Sequence, residues 1–459
     1  MLFKGLLCWF VLALCACAQT ADYQRPAAPV ATQWPVEVQP VDAASAAQTH
    51  WRNYFADPRL QALITSALHN NRDLRIAVAR VEEARAQYKI VRADRLPTIN
   101  LLGTGSIGST PPELSGTGAT INGQRYDLGL GAVSYEFDFW GRVASLSDAA
   151  RNSYLATEEA TRAFQLSLVA DVAGTYFVQV QLEEMVRLAS QAVGSREMTL
   201  VVIGKGRDIG ASYDFEYEQA QGALEGVRSD LLSLQHQLTV ATNRLNYLVG
   251  ETPNHLPEGL DLDHQGLTAR LAPGLPAEVL LQRPDVMAAE QRLKAAHANI
   301  GAARAAFLPK IALTAGLGVA SQGLSTLFNG LTWNFLPSIT LPLFNDGRLA
   351  AGVDVAEARK VIAVAEYEKT IQLAFREVAD LLSARETLAR QLRSAQLNEA
   401  SQNRRLEIAL ARYNGGLVNV LDVLDGERTL VSAQQNTVQL RQAQLDTAAQ
   451  LYKALGGGA

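Results

Sequence analysis

The sequence predicts a mainly α-helical chain with a membrane β-barrel part, assembled from two copies of one unit. Three observations predict this class. The chain repeats itself in register, each copy contains a very long helical stretch, and each copy carries two period-two segments behind an export signal.

The repeat is read by self-comparison. Asn71-Arg72-Asp73-Leu74 leads to Leu96-Pro97 as Gln282-Arg283-Pro284-Asp285-Val286 leads to Leu308-Pro309, with one spacing at both ends (285 − 73 = 212 and 309 − 97 = 212). Ala77/Ala289, Arg80/Arg292, Ala84/Ala296 and Arg92/Arg304 coincide between them. Beyond the strands the spacing becomes 206, shown by Gly141/Gly347, Asp148/Asp354, Gly210/Gly416, Leu245/Leu451 and Gly250/Gly456 (456 − 250 = 206).

Each copy reads helix, two strands, long helix, tight turn, helix. The first repeat spans 55–250, with helices 57–95, 142–205 and 213–248 and strands 98–109 and 126–140. Pro97 ends the first helix, because it lacks an N–H and disfavours helix in the residue before it. The helix 142–205 would be roughly 95 Å long at 1.5 Å per residue. The second repeat spans 277–459, with helices 277–307, 348–412 and 418–455 and strands 310–320 and 332–344. Segments 17–54 and 251–276 lie outside the repeat and link the halves.

The N-terminus reads as a processing signal. Lys4 supplies a positive charge, and Leu6 to Leu14 form an apolar run too short to span a bilayer. Leu14-Cys15-Ala16-Cys17 resembles a lipobox, making 1–16 a lipoprotein signal peptide and Cys17 the acylated residue. The alternative is an ordinary signal peptide ending in small residues. The chain has 3 cysteines, Cys8, Cys15 and Cys17, so a chain cleaved before Cys17 has no second thiol for an internal disulfide.

After the signal, no window of about 20 residues reads as apolar enough for a transmembrane helix. A closed β-barrel is then the way across, because backbone groups in lipid must pair internally. In Ser134-Tyr135-Glu136-Phe137-Asp138-Phe139, period two puts Tyr135, Phe137 and Phe139 on one face. Trp333, Phe335, Ile339, Leu341 and Leu343 share a face opposite Asn334, Ser338 and Thr340, with Pro337 and Pro342 marking bends or a membrane edge. Four strands cannot close a barrel whose smallest examples use about eight. Several chains must therefore share one wall.

Composition excludes other classes. A net charge of −5 without a Lys/Arg stripe gives no reason for a nucleic-acid partner. The 6 histidines, His50, His69, His236, His255, His264 and His297, are scattered, with no HExxH pair, no GxSxG elbow and no phosphate-cradling glycine loop. The reading is not an enzyme, with no cofactor and no metal. A periplasmic coiled coil without a barrel is the structural rival.

Arg283-Pro284-Asp285-Val286 through Ala305-Ala306-Phe307-Leu308-Pro309 resembles the signature of the TolC superfamily, in its NodT-like and OprM-like lipoprotein branch. Ser134 to Arg142, Pro337 to Phe344 and Asp22-Tyr23-Gln24-Arg25-Pro26 are similar to other stretches of that family. The resemblance covers essentially the whole chain. It implies a homotrimer, with a 12-strand β-barrel continued by a 12-helix periplasmic α-barrel and an equatorial belt formed by 17–54 and 251–276. It implies a lipid-anchored place in the outer membrane, a periplasmic adaptor (membrane fusion) protein and an inner-membrane pump of the resistance-nodulation-division class. The function it implies is the passive exit duct of a tripartite efflux pump, with a type I protein-secretion duct as the alternative. It also implies that the helix-hairpin tips hold the gate and the adaptor contacts. Those tips are Lys205 to Tyr213, with Arg207, Asp208 and Gly210, and Arg412 to Asp425, with Arg412, Tyr413, Gly416, Asp422 and Asp425. Where the family pattern calls for an Asp two residues after the glycine, this chain has Val418. Either Asp422 takes that place, or Leu417, Val418 and Leu421 form an apolar constriction.

Overall fold

A computed structural model of the protein describes residues 22–35, 49–210, 213–252, 255–267 and 279–458. The chain divides into two compact units. The first comprises Arg80–Glu158 and Ala288–Glu368 with the N-terminal stretch up to Ala27, and the second comprises Ala28–Ala79, Glu159–Met287 and Lys369–Ala459. In chain order the elements are α1 (Trp51–Tyr54), α2 (Pro58–Asn70), α3 (Arg72–Ala93), β1 (Ile99–Thr110), β2 (Ile121–Phe137), α4 (Arg142–Asp208), α5 (Asp214–Val249), α6 (Pro284–Ala305), β3 (Lys310–Ser321), β4 (Leu331–Thr340), α7 (Arg348–Asn414) and α8 (Val420–Ala454).

The first unit holds one antiparallel sheet of order β1-β2-β3-β4. Its register lines up like with like across all four strands. Leu101, Leu130, Leu317 and Trp333 form one row, and Ile99, Ala132, Ala315 and Phe335 form another. Residues directly opposite share a face, so these rows make one apolar side. The intervening row is Asn100, Gly131, Gly316 and Asn334. A Cβ built on Gly318 would run into the Leu128 carbonyl oxygen, so β2 and β3 approach too closely there for a side chain. The register shifts between Ala132 and Tyr135, where Ser134 has φ 56°. The extra residue of this bulge re-phases the strand. Tyr135 and Phe137 thereby face the same way as Leu313 and Ile311, which they oppose.

The strands differ from expectation at their ends. β2 begins at Ile121 rather than at 126, because Ile121 to Arg125 pair with Thr110 to Ser106 despite a loop-like composition. It stops at Phe137 because Asp138 turns to cap α4, accepting from the amides of Val143 at 3.0 Å and Ala144 at 2.6 Å. β4 stops at Thr340, ahead of Pro342, which has no amide to give a ladder.

α4 and α7 are 67 residues each, roughly 100 Å. One α4 window reaches a mean hydropathy of 1.2 and passes for a membrane span by length and composition, contrary to the sequence reading. That window is 61% buried inside the protein, which marks it as a core helix. Elsewhere on α4, Leu182, Met185 and Leu188 pack with Leu234 and Ala241 of α5, Val438 of α8 and Leu262.

The helix expected over 57–95 is two helices. Asn71 interrupts it with ψ 127°, and its Oδ1 caps α3 by accepting from Leu74 N at 2.8 Å. Its side-chain amide reaches Leu248 O at 2.8 Å, which repays the lost helical bonds. In the second repeat α6 starts at Pro284, where the missing N–H costs nothing. Asp57 opens α2 and is fully buried. Its carboxylate accepts from Arg59 N, Leu60 N, Tyr176 Oη, Leu260 N and Gln265 Nε2, between 2.8 and 3.3 Å. One carboxylate thus ties α2, α4 and the inter-repeat segment together.

Candidate functional site

Both hairpin ends lie in the second unit. α7 closes in a Schellman turn: Leu417 N donates to Arg412 O and Gly416 N to Tyr413 O, both at 2.9 Å. Gly416 takes φ 71°, a left-handed value that only glycine adopts freely. Asn419 then caps α8, its side-chain oxygen accepting from Asp422 N at 3.3 Å. At the other end Gly210 has φ 70°, and its N donates to Arg207 O at 3.0 Å. The two glycines are repeat equivalents (416 − 210 = 206) and turn their helices alike.

Around the second turn, Leu417 is 72% exposed and Val418 half-buried. Arg412 and Asp422 are exposed, and neither side chain enters an ion pair among the described residues. Asp425 is bound on two sides, by Arg405 Nη2 at 2.6 Å and Arg428 Nη2 at 2.8 Å. The Arg428 bond, followed by Arg405, holds its carboxyl below the usual Asp range. At the first turn Arg207 stacks over the Tyr217 ring at 4.1 Å and stands 3.9 Å from Asp208.

The link between the hairpins was invisible in the sequence. Buried Arg196 of α4 donates to the Leu424 carbonyl of α8 at 2.8 Å, and Ser195 donates to Glu427 at 2.5 Å. Burial pushes the Arg196 guanidinium below its usual range, with Glu427 acting against that shift. Nothing in residue type or spacing marks a pair 228 positions apart. Cys17 lies outside the described residues. Among those residues, no cluster of His, Cys, Asp and Glu could hold a metal ion.

The family described as "Outer membrane efflux protein" matches residues 63–251 and again 275–457. The chain belongs to the outer membrane efflux protein family. The starts of its two matches are 212 residues apart (275 − 63) and the ends 206 (457 − 251), the same offsets as the internal repeat. Among curated relatives, the cation efflux system protein CusC of Escherichia coli K12 is 43% identical, covering 97% of each chain. The probable efflux pump outer membrane protein TtgC of Pseudomonas putida is 42% identical, over 99% of this chain and 96% of its own. Among solved structures, the open state of the Neisseria gonorrhoeae MtrE outer membrane channel superposes with a TM-score of 0.89 at 38% identity, covering 96% of this chain and 98% of MtrE. The crystal structure of CusC gives a TM-score of 0.86 at 41% identity, over 96% of this chain and 100% of that one. The fold is that of TolC-like outer-membrane channels, and the protein is the outer-membrane efflux channel of a pump.

Proposed function

We propose that three copies of this chain form the passive exit duct of a tripartite pump, each copy giving four strands to a shared barrel. The observation that carries this reading is the sheet. It has one continuous apolar side, and β1 and β4 each lack an outer neighbour among the described residues. Unpaired strand edges are not viable in lipid, so further strands must come from other chains. Cys17 would be the acylated residue, anchoring the chain in the outer membrane. The duct performs no chemistry. Transport would be driven by an inner-membrane transporter of the resistance-nodulation-division class through a periplasmic adaptor. The adaptor would meet the hairpin ends at Arg207, Asp208, Gly210, Arg412, Tyr413, Gly416, Asp422 and Asp425, which would also form the gate.

The exposed side chains of Arg412 and Asp422, which enter no ion pair among the described residues, suit contacts that form between chains. Single-channel recording in a planar bilayer tests this. Wild type should conduct poorly, and Arg412→Ala or Asp422→Ala should raise the conductance. Unchanged current in both variants removes these residues from the gate.

A further inference from the structure

Residues 22–29 form neither helix nor strand, and their first part lies on one face of α6. Arg25 grips Glu290 with two bonds, Nε to Oε1 at 2.9 Å and Nη2 to Oε2 at 2.8 Å. Tyr23 donates its hydroxyl to the same carboxylate at 3.3 Å, and Lys294 Nζ stands 3.1 Å from it. The Tyr23 ring meets His297 edge-on at 6.0 Å and lies 5.4 Å from the Lys294 amine. Glu290, Lys294 and His297 follow the i, i+4, i+7 spacing of one helix face. Behind them Tyr367 of α7 is fully buried, with its hydroxyl lacking a hydrogen-bond partner.

This is a receptor for one segment. The Glu290 side chain is 7% exposed, and a carboxylate so buried is tolerated only while its cations stay in place. The other copy of the helix has no such site. Glu290 is matched by Val78 (290 − 78 = 212) and Tyr367 by Thr161 (367 − 161 = 206). Val78 is 47% exposed among the described residues. The duplicated scaffold is therefore altered in one copy only, and each chain has one N-terminus to be received.

We propose that Tyr23 and Arg25 are a latch that fixes the lipid anchor to α6 and so sets how deep the chain sits in the membrane. This rests on the acylation of Cys17 proposed above. Between Cys17 and Arg25 the chain takes eight steps (25 − 17). At about 3.3–3.6 Å per residue, the Cα of Cys17 cannot lie farther than roughly 26–29 Å from that of Arg25. The latch turns a slack tether into a stop, and its partner is the lipid surface of the inner leaflet. Without it the tether would lengthen toward Trp34, which stacks on Phe375 at 5.1 Å.

The test uses the full chain exported in cells. Labelled palmitate reports acylation independently of the latch, and a nitroxide on Gln24→Cys reports docking. Glu290→Gln and Arg25→Ala should each mobilise the nitroxide and lower the yield of heat-stable oligomer several-fold, with palmitate per chain unchanged. The double variant should be no worse than either single one, because both remove one contact. A Gly/Ser insertion of about ten residues after Thr20 adds a coil of roughly 17 Å. It should leave the nitroxide immobile yet lower the yield as the latch variants do. A nitroxide that stays immobile in Glu290→Gln, or an insertion without effect on yield, overturns the latch. Absence of palmitate from the wild type overturns the acylation reading instead, and the nitroxide still reports docking.

Discussion

Asn71 and Arg283 are the same position in the two repeats, and each sends its side chain to the same carbonyl. Asn71 Nδ2 donates to Leu248 O at 2.8 Å, and Arg283 Nη1 donates to Ala454 O at 2.7 Å. The donors are 212 residues apart (283 − 71) and the acceptors 206 (454 − 248), the two offsets of the repeat. Different residue types thus preserve one helix-to-helix bond. Arg283 does more, since its Nη2 also binds Asp285 at 2.9 Å and Glu377 at 2.8 Å.

Removing these side chains should have unequal effects. Asn71→Ala loses a cap and leaves a carbonyl unpaired, a cost of about 1–2 kcal/mol. Arg283→Ala also leaves a carbonyl unpaired and takes a charged partner from Asp285 and Glu377, of which Glu377 keeps Lys453 at 3.2 Å, and a hydrogen bond to a charged group is worth about 1.5–3 kcal/mol. Thermal unfolding in detergent should therefore show a clearly larger fall for Arg283→Ala. Equal falls would mean that the carboxylates find other partners.

The Asp57 hub makes a second stability prediction. Asp57→Ala leaves five donors without their acceptor, three of them from distant segments. Each buried donor left unmade costs about 1–3 kcal/mol. The variant should be recovered mostly as aggregated or degraded chain, with Asp57→Asn intermediate. Yield of soluble-in-detergent oligomer is the measure.

The contact of Asp425 with Arg405 and Arg428 has a defined pH window. Its folded pKa lies below the ordinary value of about 3.9, so the contact is complete at neutral pH and is lost as pH falls through that lower value. If this contact restrains the hairpin end, conductance should be flat from pH 8 to about 5 and rise only below about 4. Asp425→Asn should conduct at neutral pH as wild type does in acid. A rise centred near pH 6 would point to a different group.

The two sides of the sheet should respond oppositely to charge. Phe335 lies in an apolar row and is 60% exposed, while its neighbour Asn334 lies in the polar row. An arginine facing lipid at mid-depth costs about 2–4 kcal/mol. Phe335→Arg should abolish insertion into vesicles, and Asn334→Arg should leave it nearly intact while altering conductance. Equal tolerance would place lipid elsewhere.

What was legible in the sequence follows from how local each signal is. The duplication, the fold class and the alternation Tyr135-Glu136-Phe137 need only neighbouring residues or a fixed offset. The break at Asn71 was hidden, because the helical pattern runs through it and the compensating carbonyl is 177 residues away. Ser134 gave no sign of a left-handed backbone, since serine has no special preference for one. At the hairpin end Arg428 stands three residues from Asp425 on the same helix, a spacing that brings side chains together, whereas Arg405 belongs to another helix. The Arg25–Glu290 grip joins residues 265 apart, and no motif announces it.

The unfinished borders of the sheet bear on how fast the protein matures. A lone chain carries amide and carbonyl groups along β1 and β4 that hydrocarbon cannot solvate, each costing several kcal/mol. If the proposed trimer completes this sheet, completion depends on encounters between copies, and its rate climbs more steeply than in proportion to their local density. Where proteolysis removes unassembled copies in competition with assembly, a cell that halves synthesis should lose more than half of its rate of finished duct.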